Sequence, residues 1–233
     1  MLGELAGRYR LSWVEAIGTD PRYPVTEGWP HLVEQLIDSI KEPVYAVGHS
    51  LGGYLTHLAA ARRPELFRAI VLLDAPILGP VRGFMLRATK RLGMVDRVTP
   101  AGASRDRRSR WDSPGEAKAH FRTRRLFRHF AEACLDDYVA HGLVRDEAGK
   151  LRLRIDPAIE AQIYRTFPHR MPRRAGVPAG FVGGTDSDVV RRMGLRGMQG
   201  RFRLRQVAGG HLFPLERPRE AAQAVVQLLE ELG

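Results

Sequence analysis

The 233-residue sequence has a single cysteine, Cys134. An internal disulfide is therefore impossible, and a reducing, cytoplasmic setting is expected. Cys134 lies in a helical pattern and reads as a small packed side chain rather than a nucleophile. No apolar run nears the ~20 residues of a membrane-spanning helix, and residues 1–10 lack the apolar stretch of a secretory signal. No membrane partner is expected. Histidine or carboxylate pairs at metal-ligand spacing are missing. The glycines of 194–200 do not form G-x-G-x-x-G, so no dinucleotide site is implied. Neither a metal nor a cofactor is expected. Internal repeats and low-complexity linkers are missing too, so the chain reads as one folding unit.

Positive charge is in excess. The net charge is +11, and residues 82–128 hold fourteen Lys or Arg against four Asp or Glu, a balance of +10. A nucleic-acid footprint is one reading. Yet no nucleic-acid motif accompanies the charge, and few aromatic residues stand among the arginines. A solvated helical surface is the preferred reading, and a nucleic-acid partner is not expected. The patch still suits the steering of an anionic substrate.

Hydrophobic patterning supplies the fold class. Strands are expected at Arg10–Ile17, Val44–Val47, Ala69–Leu73, Ala179–Val182 and Phe202–Val207. Helices are expected at Trp29–Lys41, at Tyr54–Arg63, which stops at Pro64, and at Ala221–Leu232, with Pro218 marking its start. The run Ala69–Leu73 is apolar throughout, as a strand covered on both faces would be. This alternation implies an α/β fold with a doubly wound, mostly parallel sheet. It breaks between Ile77 and Ala175, where the chain is charged and helical, notably over 114–133 and Pro157–Arg165. Residues 1–76 and 176–233 are expected to form the core, and 77–175 a helical cap inserted over a site.

That site is indicated by Gly48-His-Ser-Leu-Gly-Gly53, which contains G-x-S-x-G centred on Ser50. The motif requires strand, sharp turn and helix, and the flanking patterns provide them. Gly48 and Gly52 are expected to let strand and helix approach closely. The turn would expose the Ser50 hydroxyl beside a helix N-terminus, where free N–H groups favour developing negative charge. A serine needs a base to take its proton. His211, in Gly209-Gly-His-Leu-Phe-Pro-Leu-Glu-Arg-Pro218, follows the last strand and precedes the last helix, which puts it at the same sheet edge. His49 is adjacent to the serine and is expected to shape the turn. His31, His57, His120, His129, His141 and His169 are expected to be structural or surface residues. Asp74, Asp186 and Asp188 each follow a strand at the right edge, and any of them is a candidate to orient His211.

Gly48–Gly53, Arg63-Pro-Glu-Leu-Phe67, Val71-Leu-Leu-Asp-Ala-Pro76 and Gly209–Pro218 together resemble the α/β-hydrolase superfamily, and more closely its bacterial lipase- and esterase-like members with a helical cap. The resemblance implies a serine hydrolase acting on a small-molecule ester, with amides and thioesters as further substrates and Ser50 and His211 as nucleophile and base. The alternative is a catalytically impaired relative that binds a small ligand under its cap. In the superfamily the acid commonly follows the next-to-last strand, and that slot, counted from Pro178 and Gly184, holds Ser187, flanked by Asp186 and Asp188. Some relatives carry the acid one strand earlier, where Asp74 stands, so Asp74 ranks ahead of Asp188 and Asp186. The Leu51 N–H is the expected oxyanion donor. Members normally begin with two or three strands and a His-Gly loop giving a second donor. This chain starts in what reads as the first helix, so a truncated reading frame is expected, with the nucleophile strand left at an edge.

Overall fold

The computed structural model describes residues 1–195 and 198–233. Arg196 and Gly197, within the glycine-rich stretch 194–200, lie outside the described residues.

In chain order the elements are α1 (Leu2–Ala6), α2 (Pro30–Asp38), β1 (Val44–His49), α3 (Leu51–Arg62), β2 (Phe67–Leu73), α4 (Pro80–Arg91), α5 (Val95–Val98), α6 (Ala101–Arg105), β3 (Arg110–Trp111), α7 (Pro114–Arg122), α8 (Glu132–His141), β4 (Leu143–Arg145), β5 (Leu151–Leu153), α9 (Pro157–Arg165), β6 (Ala179–Gly184), α10 (Asp188–Met193), β7 (Arg203–Val207), α11 (Phe213–Glu216) and α12 (Pro218–Leu232). Four strands form a parallel sheet in the order β1-β2-β6-β7.

β2 lies inside this sheet, and its side chains alternate between two apolar layers. Ile70 and Leu72 join Trp29, Leu32, Leu55 and Phe181 on one face. Val71 and Leu73 join Val182, Phe213, Val225 and Leu228 on the other. Helices α2 and α3 cover the first face, and α1 and α12 cover the second. Covering both faces explains why β2 is apolar at nearly every position. The apolar positions of α12, Ala221, Val225, Leu228 and Leu229, recur at helical spacing and are buried. Leu228 packs so closely on β6 that a Cβ on Gly180 would lie 3.0 Å from its Cδ1.

Residues 10–17, expected as a strand, form no regular element. A strand is stable only with a hydrogen-bonded neighbour, and the edge of β1 away from β2 carries none among the described residues. This segment packs instead by side chain: Tyr9 meets Tyr45 of β1 with ring centroids 6.4 Å apart, and Leu11 joins the second apolar layer.

The segment between β2 and β6 is not wholly helical. It carries a small antiparallel sheet, β3-β5-β4, and its own apolar cluster of Trp111, Phe121, Leu135, Val139, Leu143 and Leu153. The helix expected over 114–133 ends at Arg122, and a second begins at Glu132. The segment is anchored to the sheet layers through Trp29. The Trp29 indole Nε1 donates to Thr166 Oγ1 at 3.0 Å and to the Ile163 carbonyl at 3.2 Å, and its ring lies 4.9 Å from that of Phe167.

Candidate active site

The C-terminal ends of all four parallel strands converge, the usual place for a site in an open α/β sheet. Ser50 follows β1, Asp74 follows β2, Gly184–Ser187 follows β6 and His211 follows β7. Backbone bonds continue the sheet into these loops: Ser50 N–H donates to the Leu73 carbonyl at 2.9 Å, and Asp74 N–H to that of Val182 at 2.8 Å.

Ser50 is the turn between β1 and α3. Its φ of 51° and ψ of −117° lie where non-glycine residues rarely sit, a conformation that costs about 1–3 kcal/mol. The local packing depends on two glycines. A Cβ on Gly48 would lie 2.3 Å from the Gly52 carbonyl oxygen, and one on Gly53 would lie 2.6 Å from Ala75 Cβ. The expectation for Gly52 is corrected: a Cβ there meets nothing within 4 Å. The close approach belongs to Gly48 and Gly53. Ser50 is the N-cap residue of α3, yet its side chain caps nothing, which leaves the hydroxyl available. Leu51 is the first residue of that helix, and first-turn N–H groups have no partner within a helix.

The Ser50 Oγ lies 3.0 Å from His211 Nε2, and His211 Nδ1 lies 2.7 Å from Asp74 Oδ2. A carboxylate only accepts, so Nδ1 carries the proton and donates to Asp74. Nε2 then presents its lone pair to the serine hydroxyl, which donates. Asp74 is fully buried. It accepts two further bonds, from Gly184 N–H at 2.9 Å and from Ser187 Oγ at 2.5 Å. Burial, and then the charge of Asp74, push the nearby Tyr54 hydroxyl above the usual phenol range, which keeps it neutral.

Asp186 and Asp188 are not brought to His211. Asp186 Oδ2 accepts from Thr185 Oγ1 at 3.2 Å. Asp188 begins α10 and pairs with Arg191 and Arg125, and those arginines, Arg191 first, hold its carboxyl below the usual range. Both follow β6, but the chain between them turns Ser187 inward and leaves them outside. The spacing count reached Ser187 as the occupant of the acid slot but gave it no part in the site. It is buried, it donates to Asp74, and its Oγ accepts from Val190 N–H at 3.2 Å as the N-cap of α10.

The His211 loop is braced on two sides. His49 Nε2 lies 2.7 Å from the His211 carbonyl oxygen, so it carries the proton and donates. Burial, and next the neighbouring His211, push the His49 imidazole down to about 4. Glu216 Oε2 accepts from Gly210 N–H at 2.9 Å. The inserted segment touches this loop region too, with Ala131 N–H donating to the Leu215 carbonyl at 2.9 Å. His57 is buried in α3, and its Nε2 donates to the Pro172 carbonyl at 2.8 Å. No cluster of three or more metal-ligating side chains occurs among the described residues. Among them too, no helix is long and apolar enough to cross a membrane.

A profile of the Alpha/beta hydrolase family matches residues 5–224. Solved structures with similar folds include an E-2-(acetamidomethylene)succinate hydrolase, at 20% identity and a TM-score of 0.61, covering 86% of this chain and 70% of that one. A marine microorganism esterase is similar at 19% identity and a TM-score of 0.55, covering 88% and 78%. The thioesterase domain from the curacin biosynthetic pathway is similar at 15% identity and a TM-score of 0.60, covering 84% and 72%. A comparison with curated proteins gave no match.

Proposed function

The chain belongs to the alpha/beta hydrolase family, and from that premise we propose that it is a serine hydrolase that cleaves carboxylic esters through an acyl-enzyme, with thioesters and amides open to the same chemistry. The reading is carried by one observation, the unbroken line from Ser50 Oγ through His211 to Asp74 at 3.0 and 2.7 Å. Ser50 Oγ attacks the ester carbonyl carbon, and its proton passes to His211 Nε2. The tetrahedral oxyanion accepts from the Leu51 N–H. Its collapse breaks the bond to the alcohol, which leaves with the proton from Nε2, and Ser50 remains acylated. Water then gives a proton to Nε2 and attacks the acyl carbon, and Ser50 departs with that proton as the acid is released. Asp74 holds the tautomer that keeps Nε2 available and stabilises the imidazolium between steps. Residues 77–175 serve as a cap over this edge.

The competing reading is a hydrolase-fold protein that binds a ligand without turning it over. It is favoured by the outer edge of β1, which has no strand partner among the described residues and is the side on which a second oxyanion donor would be sought. Turnover of a short p-nitrophenyl ester separates the two. Ser50→Ala and His211→Ala should each lower kcat by about 10³ or more, because base and nucleophile act as a unit. Absence of turnover from the native protein would favour the competing reading, and turnover unchanged in both variants would remove Ser50 and His211 from the chemistry.

A further inference from the structure

A cavity of about 480 Å³ lies between α4 and residues 169–173. Ser50 lines no part of it, and the chemistry proposed above leaves it unused. Ile77, Leu78, Phe84 and Met171 supply its apolar lining. Arg87, Arg170, Arg173 and Arg201 also line it, and Arg201 is already engaged by other groups. Among the described residues, no carboxylate pairs with Arg87, Arg170 or Arg173. Arginines elsewhere in the same segment do have acids, as Arg165 has Asp96 and Arg107 has Glu160.

The walls of the cavity are fixed against each other. Gly83 of α4 packs so tightly on His169 that a Cβ would lie 2.2 Å from its carbonyl oxygen. Lys90, also on α4, donates to the Phe167 carbonyl at 2.7 Å. The acid on this side, Glu27, is taken up by Lys90 at 2.6 Å and faces His169 Nδ1 at 3.3 Å. It therefore does not neutralise the three arginines. Phe84 is 72% exposed at the cavity wall, so a hydrocarbon seated there would remove apolar surface from water. The volume falls in the range of small-molecule sites.

We propose that this cavity binds an anionic amphiphile. A phosphate or carboxylate is held by Arg87, Arg170 and Arg173, whose planar guanidinium groups suit bidentate contact with such oxygens. The attached chain lies against Ile77, Leu78, Phe84 and Met171. The proposal is independent of catalysis at Ser50.

Calorimetric titration of the native protein at low salt with octyl phosphate, octanol and inorganic phosphate tests it. Octyl phosphate should bind at one site, at least tenfold more tightly than either fragment, and more weakly as salt rises. Changing Arg87, Arg170 and Arg173 together to Gln should weaken it at least tenfold. The same change at Arg82, Arg91 and Arg97, which removes equal charge from neighbouring helical surface, should alter it less than twofold. Phe84→Ala alters an exposed side chain and so tests the site even where the triple variant fails to fold. It should weaken octyl phosphate and leave inorganic phosphate unchanged. Ser50→Ala should bind like the native protein. Equal affinity for octanol and octyl phosphate would overturn the proposal, as would equal losses in the two triple variants. Capture by phosphatidylglycerol vesicles that depends on Arg82, Arg91 and Arg97 rather than the cavity residues would also overturn it, by making the charge a bilayer-docking surface.

Discussion

Three donors converge on the buried carboxylate of Asp74: the His211 ring, the Ser187 hydroxyl and the Gly184 N–H. Asp74 holds a φ of 49°, a left-handed conformation that Asp and Asn tolerate better than most residues. Asp74→Asn should therefore keep the backbone and lose the tautomer control, lowering ester turnover by about 10⁴. Ser187→Asp in that variant should restore at least tenfold of the loss. Asp is as good an N-cap as Ser, so α10 keeps its start while a carboxylate enters the space beside His211. Ester kinetics and melting temperatures on the single and double variants check this, and an Asp74→Asn variant as fast as the native protein would remove Asp74 from the orienting role. Ser50 and His211 were legible in the sequence because each lies in a local pattern with a fixed place between strand and helix. The aspartate was legible only as a ranking, with Asp74 ahead of Asp188 and Asp186. Asp74, Asp186 and Asp188 all follow strands, and the choice depends on backbone angles and on contacts across more than 100 residues of chain.

At the scale of elements, the turn from β1 into α3 depends on Gly48 and Gly53, whose missing Cβ atoms leave room for backbone and for Ala75. Gly52 completes the G-x-S-x-G pattern but faces open space. Gly48→Ala should lower the melting temperature sharply or prevent folding. Gly52→Ala should leave it unchanged or raise it, since Ala in a helix is favoured over Gly by roughly 1 kcal/mol. Thermal melts of the two variants decide, and comparable destabilisation by both would contradict this account of the turn. The inner strand β2 was readable because a continuous apolar run marks a strand covered on both faces. The small sheet β3-β5-β4 was not, because its strands are two or three residues long and carry arginines among their apolar residues. The segment 10–17 misled in the opposite sense. Its composition suits a strand, but strand formation also needs a neighbour that composition does not supply.

For the whole molecule, the part-buried His49 and the buried His57 of the β1–α3 unit couple stability to pH. Burial first, and His211 next, bring His49 to about 4, and burial lowers His57 as well. In the unfolded chain both titrate near 6.5. Between those values the unfolded state binds the extra proton, so stability is complete above about pH 6.5 and falls as pH drops toward 4. For His49 alone the loss is on the order of 3 kcal/mol. Melting temperatures from pH 7.5 to 4.5 should fall more steeply for the native protein than for His49→Asn. Parallel curves would show that His49 is not held neutral by the fold. The central claim, that Ser50 is a nucleophile activated through His211 by Asp74, is tested most directly by the mass of the intact protein after reaction with a fluorophosphonate. The native chain should gain one adduct, mapped to Ser50, and Ser50→Ala should gain none. An adduct of equal yield on Ser50→Ala, or none on the native chain, would contradict it.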